Sequence, residues 1–429
     1  MIYYQQGSEN EVINSGELKE AVFTTLEKLG KKNKVLAIPP DFTRVHSRAG
    51  ELTRYIWEYY EEKLTDILPA LGTHAPMTTE EINTMFGNIP DNLFRVHDWR
   101  NNIVTLGTVP ESFIKEVSEN KVKYPWKAQV NKLLVEGSFD LILSIGQVVP
   151  HEVVGMANYN KNIFIGTAGA EGINKSHFLG AVYGMERMMG KSDTPVRKVL
   201  NYASDFFSGS LPPIVYVLTV IGKDTDKNLV VRGLFIGNDI ECFFLASELS
   251  LMVNFEILEK PLEKIVVFLD PAEYKSTWLG NKSIYRTRMA IADSGELIIL
   301  APGLKEFGED PEIDRLIRKY GYKGTPSILQ AVEENEEMRN NLSAAAHLIH
   351  GSSENRFRIT YCPGSLTENE IKSVNFNYAD HVIMSRKYDP KKLKEGINIM
   401  PDGEKIFYIS NPAMGLWAYR NRFYENCCR

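Results

Sequence analysis

The sequence predicts an α/β protein built as two α/β domains with parallel-rich sheets. Three observations carry this. The chain of 429 residues exceeds the size at which a single hydrophobic core stops growing. Short apolar runs bounded by glycine, proline or a polar turn recur along it, several of them continuously apolar, as strands covered on both faces are. Stretches with helical spacing lie between many of these runs, and that alternation is the pattern of parallel α/β layers.

In chain order the predicted strands are "KVLAI", "DILPALG", "DLILSIG", "NIFIG", "PIVYVLTVIG", "NLVVRGLFIG", "KIVVFLD", "ELIILAPG", "FRITYC" and "KIFYIS". Between the first two, "AGELTRYIWEYYEEKL" has helical spacing. After the second, "TTEEINTMF" begins a helix on the capping-box offset of Thr78 and Glu81.

Composition narrows the function. The 43% hydrophobic and 24% charged fractions are those of an ordinary globular protein, with no long low-complexity tract or fixed-period repeat. A formal charge of −6, spread along the chain, provides no basic stripe for nucleic acid, so the expected partner is a small molecule. "MIYYQQGSENEVINSG" lacks the features of a signal peptide, and no apolar run approaches the ~20 residues that span a bilayer, so no membrane partner and a cytoplasmic location are expected. Cys242, Cys362, Cys427 and Cys428 have no zinc-site spacing and read as structural or incidental.

Open α/β sheets bind ligands beyond the carboxyl ends of their strands. There the sequence places "PPDFTRVHS", "THAPMT" and "QVVPHEVVG". Asp41, Arg44, His74 and His151 are thus expected to gather at one sheet edge, with Lys161 and His177 close behind. Taken singly, each also has a plainer reading. A loop histidine can be a satisfied surface residue, Asp41 a turn or cap residue, Arg44 a solvated charge and Lys161 a snorkelling side chain. His46, His97, His347, His350 and His381 have no comparable support.

Two motif readings fail. "GTAGAEGINKS" has no lysine at Walker spacing, and the strand-linked dinucleotide fingerprint is absent. His151 and His177 are too far apart for a helical HExxH site, and no CxxC completes a zinc set, so zinc hydrolysis lacks ligands.

The segments "PPDFTR", "GTH", "HDWRNN", "VVPHEVVG", the lysine of "NYNK" and the histidine of "NKSH" resemble, in order and spacing, the nickel-dependent lactate racemase family. The resemblance covers most of the chain and is most specific over residues 35–180. It implies two α/β domains with the active site in the cleft between them. It also implies a nickel-pincer nucleotide tethered to a lysine, which falls at Lys161, with a histidine on nickel, which falls at His177. Because such a cofactor brings two sulfurs and a carbon, one imidazole completes the metal set. The implied reaction inverts C2 of a 2-hydroxy acid by reversible hydride transfer to the cofactor, with His74 and His151 as the paired acid–base histidines. Arg44 and Lys282 fall at substrate-binding positions, and Asp41 near the cofactor. Enzymes of cofactor synthesis are implied as loading partners.

Two departures stand out. The family's usual "GGGK" is here Asn158, Tyr159, Asn160 and Lys161, which brings the tether into question. Leu279 replaces a common glutamine. Polar groups at Asn158 and Asn160 are expected to bind further hydroxyls, so the expected substrate is a longer, aldonate-type acid rather than lactate. The domain boundary is expected within Asn254–Lys264, giving a cofactor-binding domain over 1–258 and a second over 259–409, with 410–429 packing back on the first. The alternatives are a cofactor-free binder or sensor of hydroxy acids, and a nicotinamide-dependent dehydrogenase.

Overall fold

A computed structural model describes residues 1–226 and 228–425. Cys427 and Cys428 lie outside the described residues. The chain divides into two compact units, one of residues 1–179 with 188–254, the other of 180–187 with the chain from 255 onward.

The first unit is built on a six-stranded sheet in the order Ile2–Gly7, Leu229–Gly237, Ile214–Lys223, Leu141–Gln147, Val35–Ile38, Leu64–Ile67. Its first two junctions are antiparallel and the remaining three parallel. Leu141–Gln147 lies mid-sheet and is buried at every position, which is why its sequence does not alternate. Helix Ser15–Leu29 packs Leu18, Val22 and Leu26 against this sheet, and helix Ala49–Tyr60 adds Leu52 and Ile56. Thr78 and Glu81 form the reciprocal capping box expected at the start of helix Thr79–Phe86.

The second unit carries the order Asn377–Tyr378, Arg358–Pro363, Ile291–Ala301, Leu262–Phe268, Lys405–Ile409, Gly396–Ile399, parallel except at the last junction. The architecture is therefore α/β with parallel-rich sheets. The described end of the chain runs through Leu416–Tyr419, which pairs with Phe255–Leu258 and belongs to the second unit. Among the described residues no helix is long and apolar enough to cross a membrane.

One predicted strand is a helix. "NIFIG" lies within and just after helix Asn160–Phe164, where Ile165 N–H donates to the Lys161 carbonyl at 2.9 Å. So short an apolar run has no periodicity to separate strand from helix. Here the preceding turn decides, because it leaves the chain in left-handed geometry from which a helix starts. Conversely, Ile2–Gly7 is a strand that polar "IYYQQG" does not announce, recruited by antiparallel pairing to Leu229–Gly237.

The hairpin carrying His151 depends on a glycine. His151 pairs with Gly155, whose φ is +82° and whose Cβ, if present, would lie 2.0 Å from the Lys191 carbonyl oxygen. A side chain there meets both a disfavoured backbone region and a backbone clash. Gly155→Ala is predicted to lower unfolding stability by on the order of 2–5 kcal/mol, measured by denaturant titration; a change below ~0.5 kcal/mol would show that the hairpin is not held as described.

Candidate functional site

The structure brings Asp41, Arg44, His74, His151, Lys161 and His177 together at the carboxyl ends of the parallel strands of the first unit. Each arrives on a different local device. Asp41 follows strand Val35–Ile38 and caps the 3-10 helix Phe42–Ser47, accepting from Thr43 N–H at 3.2 Å and from the Thr43 hydroxyl. Arg44 lies within that short helix. His74 lies on the loop after strand Leu64–Ile67, where Gly72 N–H donates to the Gly166 carbonyl at 2.9 Å. Gly166 allows this approach: a Cβ there would sit 2.6 Å from that of Ala70.

Lys161 is set against the sheet by its neighbour. Asn162 Nδ2 donates to the Ile38 carbonyl at 2.9 Å and contacts Ser144 Oγ at 3.1 Å, fastening helix Asn160–Phe164 to the end of one strand and the middle of its neighbour. His177 lies on helix Ala170–Tyr183. That helix is held by Trp126, whose indole N–H reaches the Gly172 carbonyl and Ser176 Oγ, both at 2.9 Å.

The three histidines are poised differently. His74 is 60% exposed, and its Nδ1 meets Asp41 Oδ2 at 2.5 Å. The carboxylate accepts the Nδ1 proton and leaves the Nε2 lone pair outward, the arrangement of a base oriented by an acid. Burial pushes the Asp41 carboxyl up, yet the His74 bond and charge, with Thr43 and Arg44, leave it below the ordinary carboxylate value. His151 is nearly enclosed, and its Nδ1 accepts from Val153 N–H at 3.1 Å, so Nε2 carries the proton of the neutral ring. His177 Nδ1–H donates to the Ile173 carbonyl at 2.7 Å. Its Nε2 has no hydrogen-bond partner among the described residues and is free to bind a metal.

Burial keeps His151 and His177 neutral at physiological pH. It lowers His151 well below 6.5, with Lys161, Arg44 and His177 adding to the effect against Glu152. It lowers His177 too, opposed by the Ile173 carbonyl and reinforced by Lys161. Lys161 is depressed to about 8, first by burial and then by Arg44, with Glu152 opposing and Arg197 adding. Its amine makes no hydrogen bond or ion pair among the described residues. A half-buried lysine without a paired counter-ion carries a desolvation cost in its charged form, which favours the free amine.

Residues 9–189 match the sequence profile of the family described as "Lactate racemase N-terminal domain". Over these residues the chain is similar to the N-terminal domain of lactate racemases. The lactate racemase of Thermoanaerobacterium thermosaccharolyticum is 29% identical over 287 residues, 63% of this chain. The match spans 60% of the length of that relative. The chain superposes on a crystal structure of a Thermotoga maritima protein with a TM-score of 0.79 at 26% identity, covering 96% of this chain and 99% of the other. It also superposes on the lactate racemase apoprotein from T. thermosaccharolyticum with a TM-score of 0.69 at 19% identity, over 96% and 94% of the two chains, a likeness of fold.

Where the family usually has glycines before the lysine, Asn158 and Tyr159 keep glycine-like backbone, with φ of +65° and +57°. Asparagine tolerates this region, whereas tyrosine is strained there by about 1–3 kcal/mol. Tyr159 packs against Tyr216 at 4.2 Å and Phe243 at 5.4 Å between ring centroids. Two such pairs contribute about 1–3 kcal/mol, and burial of the ring about 1.5–3 more, enough to offset the strain. The turn therefore survives loss of its glycines.

Asn160 does not present its amide to a substrate. It is fully buried, donates to Asn201 Oδ1 at 2.8 Å and Ser204 Oγ at 3.0 Å, and accepts from Arg197. Asn158 Oδ1 accepts from Tyr159 N–H at 2.7 Å. The expectation that Asn160 binds extra substrate hydroxyls is thus corrected: its hydrogen-bonding groups are already engaged within the fold.

Lys282 begins helix Lys282–Thr287 in the second unit, its amine 5.8 Å from the Tyr274 ring centroid. Leu279 lies in the preceding short helix Thr277–Gly280. Sequence reasoning missed Glu152 and Arg197. Glu152 adjoins His151 in the strand-end segment and acts electrostatically on His151, Lys161 and His177, so the same strand-end logic could have found it. Arg197 lies on helix Pro195–Phe207, with no motif to mark it. Among the described residues no group of three or more His, Cys, Asp and Glu is arranged to hold a metal.

Burial lowers the pKa of His46, His97, His151, His177 and His347, the last to about 3. Between the unfolded value near 6.5 and these lower folded values the unfolded chain binds more protons, so acidification favours unfolding. Stability is predicted to fall by at least ~2 kcal/mol between pH 7 and pH 5, about the contribution of one such histidine, as read by urea titration. A flat or rising profile would contradict neutral burial of these rings.

Proposed function

We propose that the protein is a racemase or epimerase that inverts C2 of a 2-hydroxy acid, using a nickel-pincer nucleotide attached to Lys161 and bound at nickel by His177. The observation that carries this reading is the pairing of an uncompensated amine at Lys161 with an imidazole whose Nε2 is free because Nδ1–H is held by Ile173. These residues fit the cofactor's demand for one attachment point and one nitrogen donor. When bound, the nucleotide supplies a reversible acceptor for the hydrogen at C2 with its electron pair.

The chain's own residues supply the proton chemistry. His74, with Nε2 unprotonated, takes the substrate hydroxyl proton, and Asp41 stabilises the imidazolium that results. His151, carrying its proton on Nε2, serves the opposite stereoisomer after a change of protonation. Arg44 offers a planar fork for the substrate carboxylate. The substrate role of Lys282 rests on the family resemblance. A 2-hydroxy acid other than lactate is the proposed substrate on the strength of Leu279, which removes the hydrogen bonds of the glutamine common in lactate racemases.

The test is protein produced with the cofactor-synthesis enzymes and nickel, offered lactate and a series of aldonates, with products resolved by chiral chromatography. Inversion of a 2-hydroxy acid is expected, with stoichiometric nickel that His177→Ala loses. His74→Ala and His151→Ala are expected to retain nickel and lose roughly 10²–10⁴-fold in rate. Nickel-loaded protein that inverts no acid would overturn the reading. Thermal stabilisation by hydroxy acids without nickel or turnover, from a host that loads a control racemase, would favour a binding protein instead.

A further inference from the structure

Arg197 is fully buried, yet among the described residues no carboxylate contacts it. Its Nη2 donates to the carbonyls of Met156 at 2.7 Å and Asn158 at 3.2 Å, and its Nη1 to the Asn158 carbonyl at 3.3 Å and to Asn160 Oδ1. Its flat face lies 4.2 Å from the Phe243 ring centroid and 5.9 Å from that of Tyr159. Nε has no partner. Every one of these contacts falls on the turn preceding Lys161 or on the aromatic rings that pack it.

A buried cation neutralised only by carbonyls, an amide and ring faces is expensive, and a neutral side chain of similar shape would serve a purely structural core better. Two consequences follow from its placement. The fork fixes the carbonyls of residues 156 and 158, and with them the left-handed Asn158–Tyr159 backbone that substitutes for glycine. The unneutralised charge also faces the short helix on which Lys161 sits.

We infer that Arg197 is the positioning residue for Lys161: its guanidinium locks the strained Asn158–Tyr159 turn and presents the Lys161 amine, without a counter-ion, to the group it attaches. This rests on Lys161 being the attachment point. The other groups acting on that amine are Arg44, Glu152 and Asp41, and Lys161 in turn acts on His151 and His177. The depressed value of Lys161, about 8, accords with this setting.

The test uses the full chain in three forms: parent, Arg197→Met and Arg197→Lys. Reductive methylation with formaldehyde and borohydride, followed at Lys161 by peptide mass spectrometry across pH, reads the free amine directly and needs no cofactor. Arg197→Met is expected to move the midpoint of Lys161 labelling upward by a few tenths of a unit, roughly a twofold loss of free amine at neutral pH. Arg197→Lys is expected to recover at least half of that shift. Nucleotide adduct on Lys161, measured in the same forms after co-production with the loading enzymes, is expected to fall and recover in parallel. If Arg197→Met fails to fold, Asn160→Asp replaces it, since a near-isosteric carboxylate would neutralise Arg197 in place and raise the same midpoint. A Lys161 profile unchanged by these substitutions overturns the inference. A shifted profile in a protein that never acquires an adduct would uphold the role of Arg197 while defeating the proposed function.

Discussion

The geometry around Lys161 depends on a constraint that no single contact satisfies: an amine must be held among buried groups without a counter-ion. Water would stabilise the charged form, and a paired carboxylate would stabilise it more, so the fold must limit the first and hold Glu152 and Asp41 short of an ion pair. It does so with the Asn162 bonds that pin the helix to two neighbouring strands and with a turn whose conformation is foreign to its own side chains. Strain of this kind persists only where surrounding packing over-determines it. Tyr216, Phe243 and Arg197 provide that packing.

The same logic orders the imidazoles. Each is assigned a tautomer by one local partner: Asp41 for His74, Val153 N–H for His151, the Ile173 carbonyl for His177. One ring is left with a free Nε2 lone pair beside an acid, one with its proton on Nε2, and one with an Nε2 lone pair that makes no hydrogen bond among the described residues. A set of residues alike in type is thereby made unlike in hydrogen-bonding state, as the proposed reaction would require.

Strand ends were legible in the sequence because continuous apolar runs such as "DLILSIG" terminate in polar segments, and the α/β class followed from the alternation of such runs with helices. The proximity of four candidate residues, Asp41, Arg44, His74 and His151, was legible from their places after those strands, with Lys161 and His177 close behind in sequence. "NIFIG" misled because a run of three large apolar residues carries no period, and the deciding information lay in the φ values of Asn158 and Tyr159, which a sequence does not print. Ile2–Gly7 was hidden because its partner strand, more than two hundred residues away, recruits it. Arg197 was invisible for a related reason: its meaning comes from contacts with a turn about forty residues earlier in the chain, not from its neighbours on helix Pro195–Phe207. Asn160 looked available because composition shows an amide but not that both its ends are already bonded.

The most direct measurement is tandem mass spectrometry of peptides from protein produced with nickel and the cofactor-synthesis enzymes, locating any nucleotide-sized modification to a residue. The account predicts that modification on Lys161 and on no other lysine. Unmodified Lys161, or an adduct on a different lysine, in protein from a host that loads a control racemase would contradict it.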